Sequence, residues 1–154
     1  MPGPVTSVPN LISVTPTVTA SSAYSSGNVV GGLQAIATGL PPNSTVILTD
    51  IVLNVKSTQT GQFDVLFFNA YPSGSTITDK TALAVVAADS PKTQGAFSLV
   101  TYISSGTPTV YQISTLSTCL SVDANGTLWM AVVTRGTPTF TAVSDVNVIL
   151  KVVQ

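Results

Sequence analysis

The acidic and thiol side chains of this chain are six aspartates and one cysteine: Asp50, Asp64, Asp79, Asp89, Asp123, Asp145 and Cys119. There is no histidine and no glutamate. General acid–base and nucleophilic catalysis need such groups placed in reach of one another. Here the aspartates are spread singly, with no D-x-D or D-x-x-D pair. Asp50 and Asp64 would oppose each other if the residues between them formed a hairpin, which is the one arrangement resembling a glycosidase pair. Two like charges directly opposite destabilise a hairpin. The bland expectation is therefore an exposed strand or turn position for each.

The same inventory limits metals. Calcium needs several oxygen ligands in one loop. Asp79, Asp89 and Asp123 could each supply one carboxylate, but no loop concentrates them. Zinc lacks its usual histidine and cysteine ligands. Gly31-Gly32 has neither the spacing nor the lysine of a phosphate-binding loop. No metal and no cofactor is expected. Cys119, in "ISTLSTCLSV", reads as a small hydrophobe packed on a strand. A sugar platform would need exposed rings from among Tyr24, Tyr71, Tyr102, Tyr111 and Trp129. Tyr71, at a loop edge, is the best of these; Trp129, amid "TLWMAVV", reads as core.

The elements that must hold these residues follow from composition. Only 7% of the 154 residues are charged, against about 25% in an average soluble domain. Val, Thr and Ile are abundant, and β-branched side chains suit a pleated surface. The expected class is all-β. One domain with a real core fits the length. The five basic residues, Lys56, Lys80, Lys92, Arg135 and Lys151, are scattered. That argues against a nucleic-acid partner, which would need them clustered. No stretch reaches eighteen apolar residues, so no membrane-spanning helix is expected. The first residues lack the basic start and apolar run of a secretory signal.

Residues 1–22 carry Pro2, Pro4, Pro9 and Pro16 among Ser, Thr and Val. Proline fixes φ and removes a donor, so the segment should be extended. A disordered tail is one reading. The other is an arm lying along a neighbouring subunit, with Val5, Val8, Leu11, Ile12, Val14 and Val18 as its contacts. Residues 23–154 read as a β-sandwich domain. "NVVGGLQAI" is a strand broken by Gly31-Gly32, which suggests a bulge or a close backbone approach. "TVILTDIVLNVKS" alternates, with Ile47, Thr49, Ile51, Leu53 and Val55 on one face. "STQTGQ" and the "DANG" of Asp123–Gly126 read as hairpin turns. "FDVLFFNAY" is apolar on both faces, as in a central strand or one with an outer interface. "KTALAVVAAD" leans to a strand, with a helical turn possible at its start. About eight strands at close spacing predict an antiparallel β-sandwich or jelly roll. In "TRGTPTFTAVSD", Arg135 is expected to fix its loop through Asp145 or backbone carbonyls, or to touch a partner directly.

Three blocks, "SAYSSGNVVGGL", "DVLFFNAYPSGSTITDKTAL" and "LWMAVVTRGTPTFTAVSDVNVILKVVQ", together under half of the chain, resemble a group of tailed-bacteriophage virion structural proteins. The resemblance implies a small, non-enzymatic β protein of the capsid surface, a decoration or cement protein assembled in the host cytoplasm. Its implied partners are the major capsid protein and copies of itself, and a homotrimer suits quasi-threefold positions on a shell. Tail and fibre proteins share this composition. A carbohydrate-binding or receptor-binding module of a tail fibre or a cell-surface adhesin is the alternative.

Overall fold

The structure is a computed structural model and describes residues 8–104 and 106–154. These residues form ten strands: β1 (Pro9–Val14), β2 (Val29–Ala37), β3 (Thr45–Val55), β4 (Phe63–Phe68), β5 (Thr93–Leu99), β6 (Tyr102–Ser104), β7 (Thr109–Ile113), β8 (Thr118–Ser121), β9 (Thr127–Thr134) and β10 (Val146–Val153). The count exceeds the expected eight because two long apolar runs break. "GAFSLVTYIS" divides into β5 and β6, and "TPTVYQISTLSTCLSV" into β7 and β8. Thr115, at φ +60°, lies in the second break.

One sheet runs β1-β10-β3-β7-β6, with β8 also paired to β3; the other runs β2-β9-β4-β5. Every ladder is antiparallel. Pairing joins the first half of the chain to the second in reverse: β1 to β10, β2 to β9, β3 to β7 and β8, β4 to β5. A long hairpin rolled so that successive strands change sheets gives this order, which is the jelly roll. The sequence-level class is therefore correct. The two turns read as hairpins are instead corners. "STQTGQ" carries the chain from β3 to β4, and "DANG" from β8 to β9, each time between sheets. Turn chemistry fixes the local backbone but not which sheet the next strand joins.

The core fills the space between the sheets. Leu48, Ile51, Leu53, Phe63, Val65, Phe67, Leu128, Met130, Val132, Val148 and Leu150 are all fully buried there. Edge-to-face pairs add direction to it: Phe63 with Tyr111 at 5.0 Å, and Tyr24 with Phe140 at 5.1 Å. Strict alternation in β3 does not hold. Val46 and Leu48 point inward, and so do Ile51, Leu53 and Val55. A bulge, opposite Lys151/Val152, shifts the register. Thr49 takes up the extra step, and its Oγ1 donates to the Lys151 carbonyl at 3.1 Å.

The two apolar faces of β4 also have a local cause. Phe63, Val65 and Phe67 face the main core. Phe68 and Leu66 face outward, into a second cluster with Val29, Ala131, Ile77, Leu83 and Val85. The last three belong to the long connection between β4 and β5, which folds over that sheet. "KTALAVVAAD" lies in this connection. It forms neither the expected strand nor a helix, only single bridges at Ala82 and Ala84, and a 3₁₀ turn at Ser90–Lys92 follows it. It serves as a lid because Leu83 and Val85 pack on the second cluster while a few backbone bonds tie it to Gly27, Val29 and Thr76.

The N-terminal segment is extended, as expected, but residues 8–22 do not leave the domain. β1 pairs with β10 of the same chain. Ile12 and Val14 pack on the core, and Val18 is buried in it. The boundary expected at 22/23 therefore does not divide the described residues. Val5 lies outside them. Gly31 explains the lock. Its φ is +77°, and a Cβ there would fall 2.2 Å from Pro16 Cβ. The Gly31-Gly32 bulge in β2 opens room for Pro16 to cross.

This gives a paired test. Gly31→Ala should cost about 2–4 kcal/mol, combining overpacking with an unfavourable φ. Gly27→Ala, also at positive φ but with nothing within 4 Å of the new methyl, should cost only about 1 kcal/mol. Urea unfolding of both variants measures the difference. Equal losses would mean that Pro16 is not held where the structure places it.

Candidate functional site

Five of the six aspartates accept hydrogen bonds that hold loops. Asp79 takes four partners: the Thr19 amide (3.0 Å), Thr19 Oγ1 (2.7 Å), the Tyr24 hydroxyl (2.7 Å) and the Gly31 amide (2.6 Å). Asp89 accepts from the Gly74 amide, Ser75 Oγ and Lys92 Nζ. Asp123 accepts from the amides of Asn125 and Thr127 and from Trp129 Nε1. Asp145 accepts from Ser57 Oγ, the Thr141 amide and Thr141 Oγ1. Asp64 accepts from Ser98 Oγ and Arg135 Nε. Asp50 has no hydrogen-bond donor or ion pair among the described residues.

Two expectations are corrected here. Asp50 and Asp64 cannot form a carboxylate pair across a hairpin, because β3 and β4 belong to different sheets. Arg135 pairs with Asp64, not with Asp145. β4 places Asp64 next to the end of β9 in register with Val133, so the guanidinium reaches it first. Arg135 remains exposed on its other side. Among the described residues, no three acidic or thiol groups gather as metal ligands would.

The electrostatics of these loops follow from their partners. Lys92, then Ser75, hold the Asp89 carboxyl below its ordinary value of 3.8. At Asp123 burial acts to raise the pKa, but the amide donors and the Trp129 indole outweigh it and the net shift is downward. Burial, reinforced by the Asp79 carboxylate, pushes the Tyr24 hydroxyl up to about 12. Burial does the same for Tyr111, whose hydroxyl donates to the Gly61 carbonyl at 2.6 Å.

Three surface features remain as candidates. The first is the free edge of β1. Val8 and Gln154 exchange both backbone bonds. Antiparallel pairs alternate, so Asn10, Ile12 and Val14 bond to β10 while Pro9, Leu11 and Ser13 point away. Pro9 has no N–H, which leaves two amides and three carbonyls of this edge without a partner among the described residues. Leu11 is 66% exposed beside them, and Val8 is 60% exposed. In the other sheet the β2 edge is covered, while β5 pairs only with β4. Residues 77–81 bond along β2, and Gln94 of β5 grips both backbone groups of Ser121 in β8.

The second feature is aromatic. Tyr71 is 54% exposed and packs on Trp129 at a tilt of 53°, with ring centroids 5.0 Å apart. Trp129 is half-buried over the second cluster, not in the main core as the sequence suggested. The third is a groove of about 280 Å³ beside β6, lined by Thr101, Tyr102, Ile103, Val110, Gln112 and Ser114. Ligand pockets start near 300 Å³, so it is small for an enclosed site. Cys119 is on a strand as expected, but exposed. It faces outward beside Ile47, because the bulge in β3 sets the parity of that corner.

The chain matches no family model, and a search of curated proteins finds no match.

The pKa shifts set the pH limits of stability. Asp89 and Asp123 have depressed folded values, so their contribution is complete above the ordinary 3.8 and is lost as pH falls through the folded values. Tyr24 and Tyr111 are raised from 10.0 to about 12. Their contribution is complete below 10.0 and is lost as pH rises toward 12. Thermal melts should show a plateau between these limits. Asp89→Asn should lower the plateau and flatten the acid limb. An unchanged acid limb would remove Asp89 from the account.

Proposed function

We propose that this chain is a non-enzymatic structural protein of a phage particle, one that decorates or clamps the capsid surface. The observation that carries the reading is the open β1 edge. Strand addition uses main-chain bonds for affinity and needs no catalytic group. Native edges are commonly blunted by charge, bulges or a cover. This edge has Pro9 and no charged residue. Its partners are a strand or arm of the major capsid protein and neighbouring copies of itself. Modest contacts at each site become strong when every copy is fixed in a repeating shell. The resemblance to tailed-phage virion proteins supports the same assignment, as does the fold. Jelly rolls include viral capsid domains, though they do not by themselves define a function.

A second reading has its own observation. Jelly rolls also include lectins, and the Tyr71–Trp129 pair is an exposed ring on a rigid support. A carbohydrate- or receptor-binding module would use it.

Quantitative mass spectrometry of purified particles tests the first reading. Copy numbers on the order of hundreds, as multivalent decoration requires, are expected; absence from the particle would overturn it. Leu11→Lys should then weaken shell binding by about tenfold or more, while stability changes by no more than about 0.5 kcal/mol. Undiminished binding would clear the edge of that role. For the second reading, a glycan array and the fluorescence of Trp129, the single tryptophan, provide the readout. Binding that Tyr71→Ala abolishes would favour it over the shell.

A further inference from the structure

The two sheets treat their outer faces differently. The β4–β5 connection covers the four-stranded sheet, burying Phe68, Ile77 and Ala131. Among the described residues, the six-stranded sheet has no such lid. Its outer face carries Leu11, Ile47, Val52, Ile149, Val153 and Cys119, set by the registers of β1, β10, β3 and β8. None of them belongs to either buried cluster. Asp50 and Lys151 stand among these residues, directly opposite each other on β3 and β10. They form no ion pair among the described residues. Asp50 is also the one aspartate that no loop uses.

We infer that this face is a two-fold interface with a second copy of the chain. An isologous contact must be complementary to itself. A two-fold axis running along the strands between Asp50 and Lys151 lays each carboxylate over the partner copy's ammonium, Ile149 over the partner copy's Val52 and Val153 over its Ile47. One symmetry operation then makes the Asp–Lys contact twice. The four strand positions that overlap, β1, β10, β3 and β7/β8, about 4.8 Å apart and roughly eight residues long, give a footprint on the order of 500 Å². Standard interfaces bury about 800 Å² of accessible surface per partner, and a pleated face exposes more than its flat footprint. The contact is a dimer, unlike the trimer expected from quasi-threefold positions on a shell. It leaves the β1 edge open and does not depend on any role in a shell.

Charge reversal tests it with the full chain. Light scattering and sedimentation equilibrium should give a dimer for the unaltered protein at about 100 μM, the range where even a micromolar contact is saturated. Asp50→Lys alone, and Lys151→Asp alone, each create two like-charge contacts. Each should raise the dimer dissociation constant by more than about tenfold. An equimolar mixture of the two variants should regain the dimer, because every cross-copy contact is then between opposite charges. Repulsion within each chain is unchanged by mixing, so recovery reports the interface alone. A monomer or trimer in the unaltered protein, undiminished association of either variant, or no recovery on mixing would overturn the inference. If a reversal does not fold, Asp50→Asn with Lys151→Gln replaces it. That variant should lose the salt dependence of dimerisation seen in the unaltered protein, and retained dependence would count equally against the interface.

Discussion

One carboxylate joins the start of this fold to its middle. Asp79 receives the backbone of Thr19, the hydroxyls of Thr19 and Tyr24 and the amide of Gly31. Those donors belong to the passage from β1 to β2, where the chain first changes sheets. A jelly roll requires that crossing before its long hairpin can close. A crossing has no ladder partner, so its amides need acceptors from elsewhere. Asp79 provides one, Tyr24 seals the core beneath it against Phe140, and Gly31 makes room for Pro16.

The same device recurs at the other ends of the sandwich. Asp123 organises the corner from β8 to β9, and Asp145 ties the residues before β10 to Ser57 in the corner after β3. Asp89 holds the lid over the second cluster, and Asp64 holds Arg135 after β9. Hydrogen bonds to charged groups contribute about 1.5–3 kcal/mol each, more than neutral ones. A chain with so few ionisable groups uses them where the backbone has no alternative. Among the described residues, no buried side-chain polar atom lacks a partner. Hydroxyls solubilise the strands, and every carboxylate except Asp50 holds a loop or corner.

That economy explains what the sequence could disclose. The β-class was legible because Val, Thr and Ile alternate over stretches as long as β10. The Gly31-Gly32 approach was legible because two glycines inside an apolar strand have few other uses. The bulge at Thr49 was not. A single inserted residue leaves "VILTDIVLNV" apolar at both parities, so either face fits the pattern. The corner at Asn125-Gly126 read as a hairpin because Asn-Gly is the strongest two-residue hairpin signal, but only Gly126 takes a positive φ (+76°) here, whereas the type I′ hairpin turn needs it at both residues. The Asp79 cluster was invisible, since its partners lie 48 to 60 residues away and nothing local marks them. Tyr71 was read as exposed and is so. Its packing on Trp129 depended on Trp129 facing out of its sheet, which the run "TLWMAVV" conceals by being apolar on both sides.

Strand addition and face packing make different demands, and the six-stranded sheet separates them. An edge offers directional main-chain groups that any extended segment can read, so it suits a partner of different sequence. A face offers side chains only, and its fit depends on what stands opposite. On this face the opposite charges Asp50 and Lys151 are adjacent and unpaired, which a foreign surface would have to match but a second copy matches by symmetry alone. Edge and face are thus chemically suited to different partners, and they can be engaged at once. Covering the face would also protect the aliphatic side chains that flank the free edge, since Leu11 belongs to both. Limiting exposed apolar area in this way matters in a chain of net charge −1, where repulsion between molecules gives little protection from aggregation.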